Sequence, residues 1–152
     1  MPTIEPPRHT ARRAAHEFGL TALLLFLVVT AMRWLLAPDS PTAIRNPDLA
    51  PVVLGALVGV LLTALILSPS GRYSAGHLNP AVTVALWRLG AFPGRAVLPY
   101  IAAQATGSLV GTALGGLLWT HIRHRRRSGD RNTVRRTRRW ASHDVDAGCR
   151  DG

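Results

Sequence analysis

Asn79 and Pro80 head an apolar stretch, Pro80 to Leu89 (PAVTVALWRL), that carries no charge before Arg88. Asparagine favours the position that caps a helix and proline suits the first helical position, so the pair marks a helix start. The first turn of a helix leaves backbone N–H groups unpaired and carries the positive end of the helix dipole. Such a terminus attracts lone pairs and repels cations, and the Asn79 amide adds a side-chain donor. The carbonyls of Ala75, Gly76, His77 and Leu78, just upstream, offer acceptors on the approach. Donors and acceptors in this order suit a small neutral polar molecule and disfavour a free proton or cation. Catalysis finds no comparable support, because no acid, histidine and nucleophile gather at a spacing an enzyme would use. A metal role for His77 is equally unsupported, with no second histidine or acid at ligand spacing. No cofactor is expected.

A helix of ten residues reaches only about 15 Å, half the hydrocarbon thickness of a bilayer. If the segment lies in a membrane it is therefore a re-entrant half-helix, with its N-terminus near the midplane and the preceding backbone, Ser68 to Gly76 (SPSGRYSAG), lining a cavity. The flanking sequence supplies that membrane setting. Phe18 to Met32 is uncharged over 15 residues and apolar again past Arg33. Arg8, Arg12 and Arg13 before it also suit a signal peptide, but Glu17, Arg33, Trp34 and the absence of a convincing cleavage site favour a retained helix. Val52 to Leu67 is a second uncharged run between Pro51 and Pro69, and Ala96 to Trp119 is a third. The expected architecture is an all-α membrane protein: three transmembrane helices at about 14–36, 51–68 and 95–120, with a re-entrant loop and half-helix at about 69–89. Gly55 and Gly59 on the second span, and Gly107, Gly111 and Gly115 on the third, recur at the four-residue spacing that lets membrane helices approach closely.

Charge is sparse in this core and dense after it. The 18 basic residues are all arginine; the net charge of +10 divides as +4 up to Ile122 and +6 beyond, where ten Arg meet four Asp. Cys149 is the one cysteine, which excludes an internal disulfide or a cysteine zinc site. The second Asn-Pro pair, Asn46 and Pro47, precedes Asp48 and no half-helix, and reads as a turn.

Taken together, Ser74, His77, Leu78, Asn79, Pro80, Ala81, Val82 and Thr83 resemble the Ser-Gly-x-His-x-Asn-Pro-Ala-Val-Thr box of the major intrinsic proteins, the aquaporins and glycerol facilitators. The local order Ser-Ala-Gly-His differs from the more usual Ser-Gly-Ala-His. The resemblance extends over about Ala14 to Trp119, the first half of the family's fold. It implies Asn79, Pro80 and Ala81 as the midplane signature and the carbonyls of Ala75 to Leu78 as pore lining. It also implies Glu17 as the acid that braces the re-entrant loop, and matches Gln104 with Gly107 to the family's third helix, where they serve helix packing. On spacing alone Glu17 is equally an interfacial acid at a helix start. His77 is expected to turn its carbonyl to the pore and its imidazole into the loop. The position of a bulky selectivity-filter side chain falls on Gly59, which would widen the constriction as in nodulin-type intrinsic proteins; helix packing explains Gly59 equally well. The implied function is passive transport of water or small neutral solutes such as glycerol, in a plasma membrane, by a homo-oligomer that in the family is a tetramer.

After Trp119 the resemblance stops: THIRHRRRSGDRNTVRRTRRWASHDVDAGCRDG has no apolar span and no second Asn-Pro-Ala box. The expectation is three segments: a cytoplasmic stretch 1–13, a first repeat 14–120, and an Arg-rich tail 121–152 without ordered secondary structure. With the N-terminus inside, six arginines of the core face the cytoplasm against Arg33 and Arg45 outside. Three spans then put the tail outside, against that bias. A frame lost soon after Trp119, leaving a half channel whose conduction alone is an open question, fits this contradiction. The rival is a membrane-anchored interaction protein whose tail binds anionic lipid or nucleic acid. The tail shows no nucleic-acid fold, so nucleic acid is not an expected partner.

Overall fold

The computed structural model describes the backbone of residues 7–148 and the side chains of residues 9–122; the first six and last four residues, and so parts of the expected segments 1–13 and 121–152, lie outside the described residues. Every described element is a helix: α1 (Pro7–Leu36), α2 (Leu49–Leu67), α3 (Pro69–Ser74), α4 (Pro80–Arg88) and α5 (Gly94–Gly148). Three stretches, His9–Leu36, Leu49–Leu67 and Gly94–Ile122, are long and apolar enough to cross a membrane. Arginine and alanine are good helix formers, so α1 starts upstream of the expected boundary, in the Ala-Arg-rich turns before its apolar run.

The expectation of a tail without ordered secondary structure is corrected: α5 continues as helix to Gly148. Arginine extends a helix that an apolar span has already nucleated, and propagation is far easier than nucleation. The chain divides into two compact units with the boundary after Gly116. The packing clusters lie in the first unit.

Two small clusters hold it together. Leu20 and Leu24 of α1 pack with Leu78 of the re-entrant loop, flanked by Leu61, Leu62 and Leu65 of α2, so a loop leucine is wedged between two spans. Ala14, Ala96 and Tyr100 form the other, with Phe92 against them. Along α5, Gly107, Gly111 and Gly115 face α1: an added Cβ at Gly107 meets the Phe18 carbonyl oxygen at 2.5 Å, at Gly111 the Ala22 carbonyl oxygen, and at Gly115 the Val29 side chain at 2.8 Å. These glycines bring two helix backbones together where lipid tails give no apolar drive. Gly55 does not share that role, for a Cβ there meets nothing within 4 Å. Within this chain the Gly55 face of α2, expected to pack, meets open space, as do Val52 and Val60, both 66% exposed.

Hydroxyls within the spans bond their own helix. Thr30 donates to the Phe26 carbonyl at 2.8 Å, Thr63 to Gly59 at 2.8 Å, and Thr106 to Ala102 at 2.7 Å. Each of these three hydroxyls thereby finds a partner without water, as a hydrocarbon setting requires, whereas the buried Thr21 hydroxyl of α1 has none among the described residues. The Asn46-Pro47 turn starts α2: Asn46 Oδ1 accepts from the N–H of Asp48 at 2.9 Å and of Leu49 at 3.1 Å.

Candidate functional site: a braced re-entrant loop and its half-helix

Between α2 and α4 the chain reverses sharply. Ser68 caps α3 by accepting from the Gly71 N–H at 3.1 Å. Gly71 then lies so close to the end of α2 that a Cβ would strike the carbonyls of Leu65 and Ile66. Three left-handed residues follow, Ala75 (φ 75°), Gly76 (φ 58°) and Leu78 (φ 48°). Left-handed backbone at a non-glycine residue is costly and persists only where the surroundings impose it. Here they do.

Glu17, on α1 and fully buried, supplies the constraint. Its Oε1 accepts from the Ser74 hydroxyl at 2.7 Å and the His77 N–H at 3.1 Å; its Oε2 accepts from the Leu78 N–H at 2.8 Å and the Gln104 amide at 2.8 Å. A carboxylate offers about four lone-pair sites, and all are taken by donors from the loop and α5. Gln104, expected to serve helix packing, is instead a buried hydrogen-bonding residue that links α5 to Glu17 and to Thr83 of α4, the latter at 3.1 Å. The Tyr100 hydroxyl donates to the Ser74 carbonyl at 2.7 Å.

Thr83 closes the network at the first turn of α4. Its hydroxyl donates to the Asn79 carbonyl at 3.2 Å, accepts from Gln104, and meets His77 Nδ1 at 3.1 Å. The hydroxyl has one proton for the Asn79 carbonyl and the Gln104 oxygen at 3.4 Å, and the direction of its contact with His77 follows the imidazole tautomer. The ring of His77 packs edge-on against Phe92 at 4.6 Å and beside Tyr100 at 5.3 Å, so its side chain is turned into the protein.

Asn79 and Pro80 lie on the other side of this buried network. Asn79 takes an extended conformation, and its Oδ1 accepts from the Ala81 N–H at 2.8 Å, capping a helix of nine residues. With the side-chain oxygen spent on the cap, the amide NH₂ takes no part in it. Asn79, Pro80, Ala81 and Ala75 are exposed, while Gly76, His77 and Leu78 are buried. The structure therefore brings Glu17, His77, Leu78 and Gln104 together behind the half-helix start and leaves the Asn79 side exposed. Gly59 sits apart on α2, where a Cβ meets nothing within 4 Å. Sequence reasoning assigned no role to Tyr100 or Gly71, and none to the Thr83 hydroxyl. Thr83 had a signal, standing four residues after the cap on its carbonyl's face; Tyr100 and Gly71 had none, because their partners are backbone carbonyls.

The profile of the family described as Major intrinsic protein matches residues 7–140. The chain belongs to the major intrinsic protein family. The match runs beyond Trp119, where the visible resemblance ends. Among relatives, a probable aquaporin AqpM of Archaeoglobus fulgidus is 50% identical over 66 residues, 43% of this chain and 25% of that protein. An aquaporin of Laccaria bicolor is 34% identical over 114 residues, 75% of this chain and 40% of the relative. A propanediol uptake facilitator PduF of Citrobacter freundii is 48% identical over 66 residues, 43% of this chain and 22% of the facilitator. The chain thus spans less than half the length of these relatives. Membership and the three apolar helices make this major intrinsic protein an integral membrane protein. Members of that family are channels and not enzymes.

Proposed function

We propose that the chain serves passive permeation of water or small neutral solutes such as glycerol, as a half fold that contributes one half-helix and three spans to a channel. One observation carries the reading: the half-helix of a major intrinsic protein begins at an exposed Asn79, its oxygen spent on the Ala81 N–H and its NH₂ free to donate. A solute oxygen is bound there by donors that cannot hold a cation. The names of the relatives, aquaporin and propanediol uptake facilitator, support water or a small polyol as cargo. Gly59 is proposed as a wide position in the constriction; that nothing lies within 4 Å of its Cβ site supports this over packing within the chain. A plasma-membrane location, a cytoplasmic N-terminus and a homotetramer complete the proposal.

The test is stopped-flow light scattering on vesicles carrying the full chain, shifted into a glycerol gradient. Glycerol entry faster than in protein-free vesicles, brought back to the protein-free rate by Asn79→Leu, is expected. Entry at the protein-free rate with the unaltered chain sinks the claim that this half conducts.

A further inference from the structure

A cavity of about 340 Å³, away from the Asn79 site, opens beside α1 and is lined by Ala15, His16, Gly19, Leu20, Leu23 and Ser70. Its floor follows one stripe of α1, since positions 12, 16, 19 and 23 share a helix face. Gly19 gives the groove its depth: a Cβ there meets nothing within 4 Å. Leu20 and Leu23 make the inner wall apolar. His16 and Ser70 make the mouth polar, and basic charge stands beside it on the same face of α1. Exposed Arg12 stands one turn before His16, and the His16 ring leans on Tyr73 of α3 at 4.9 Å between centroids. The Arg13 guanidinium lies over the same tyrosine at 5.8 Å, fixing the wall from its other side.

No acid offsets this charge among the described residues. Glu17 is buried and fully hydrogen-bonded, and Asp39 and Asp48 lie in the connection from α1 to α2, at the opposite end of these helices. We infer that the groove holds an anionic phospholipid of the surrounding bilayer, its phosphate at Arg12, His16 and Ser70 and part of an acyl chain along Gly19, Leu20 and Leu23. Arginine's planar fork suits phosphate oxygens, and basic pockets beside apolar helix faces select anionic headgroups. A partner helix would suit the apolar half alone; a soluble anion would suit the basic half alone. The site requires nothing of the Asn79 end of the molecule, and so stands whether or not the chain conducts.

Native mass spectrometry of the full chain in mild detergent tests this, with phosphatidylglycerol or phosphatidylcholine of the same acyl chains as probes. The expected result is one retained phosphatidylglycerol, preferred about fivefold over phosphatidylcholine, the factor that one basic residue near a headgroup supplies. Arg12→Gln is expected to remove the preference, and Gly19→Leu to remove retention of both lipids. Gly19→Leu alters no charge, so its effect cannot come from the arginines after Ile122. Gly55→Leu, the same change at another open position, is expected to retain the lipid. Equal retention of the two lipids by the unaltered chain overturns the inference, as does undiminished retention by Gly19→Leu or loss in Gly55→Leu.

Discussion

A single carboxylate organises the loop. Four donors converge on Glu17, two from the backbone of His77 and Leu78, which no substitution at those positions but proline removes. Replacing Glu17 with glutamine keeps the shape but offers one acceptor oxygen where two are needed. Whichever way the amide turns, two donors face an NH₂ group in a buried site. An unsatisfied buried donor costs about 1–3 kcal/mol, so Glu17→Gln is expected to destabilise the fold by about 3 kcal/mol. Titration of the reconstituted chain with a denaturing detergent, followed by helix signal, reads this directly. A change below about 1 kcal/mol would show that the network is incidental to stability. The residue types alone left Glu17 undecided between brace and interfacial acid, because a side chain at the start of an apolar run fits both. Its partners lie 57 to 87 positions away in sequence, and only the fold sets their distances.

At the scale of elements, the glycines divide by what faces them. Gly111 is pressed against the Ala22 carbonyl, whereas Gly55, with the same spacing motif around it, faces open space. A side chain at Gly111 must part α1 and α5, and backbone cannot yield as a side-chain tip can. Gly111→Leu is expected to cost about 2 kcal/mol or more, as overpacked sites do, while Gly55→Leu stays within about 0.5 kcal/mol. Detergent denaturation midpoints for the two variants, measured side by side, decide it; equal midpoints would mean that α1 and α5 are not held by this contact. The two motifs look alike in sequence. Periodicity says which residues share a helix face but not which face meets a neighbour, so the spans and the start of α4 at Pro80 were legible and the role of Gly55 was not. The same limit hid Gln104, whose amide reads as packing until Thr83 and Glu17 are seen on either side. The tail hid its helix differently: composition argued against burial, yet a helix that extends from a formed span needs no burial to propagate.

For the molecule as a whole, charge and topology make competing demands. Arg12, Arg13, Arg72, Arg88 and Arg95 flank one end of the spans, while the connection from α1 to α2 carries Arg45 and two aspartates, with Arg33 in the last turn of α1. Lysine and arginine in short loops set orientation, which points the N-terminal end of α1 to the cytoplasm. Ten further arginines follow Ile122. If they governed orientation, the arrangement would invert, because an odd number of spans puts the two termini on opposite sides. Charges close to the first helices act before the tail is made, and the first helix usually dominates. The expected orientation is therefore a cytoplasmic N-terminus and an outward C-terminus. The sole cysteine, Cys149, reports on it without added mutations. A membrane-impermeant maleimide added to intact cells is expected to label Cys149 as fully as in permeabilised cells. Labelling only after permeabilisation would mean that the tail has overridden the core. The groove basic residues Arg12 and His16 would then face the outer leaflet, where anionic lipid is scarcer in a plasma membrane.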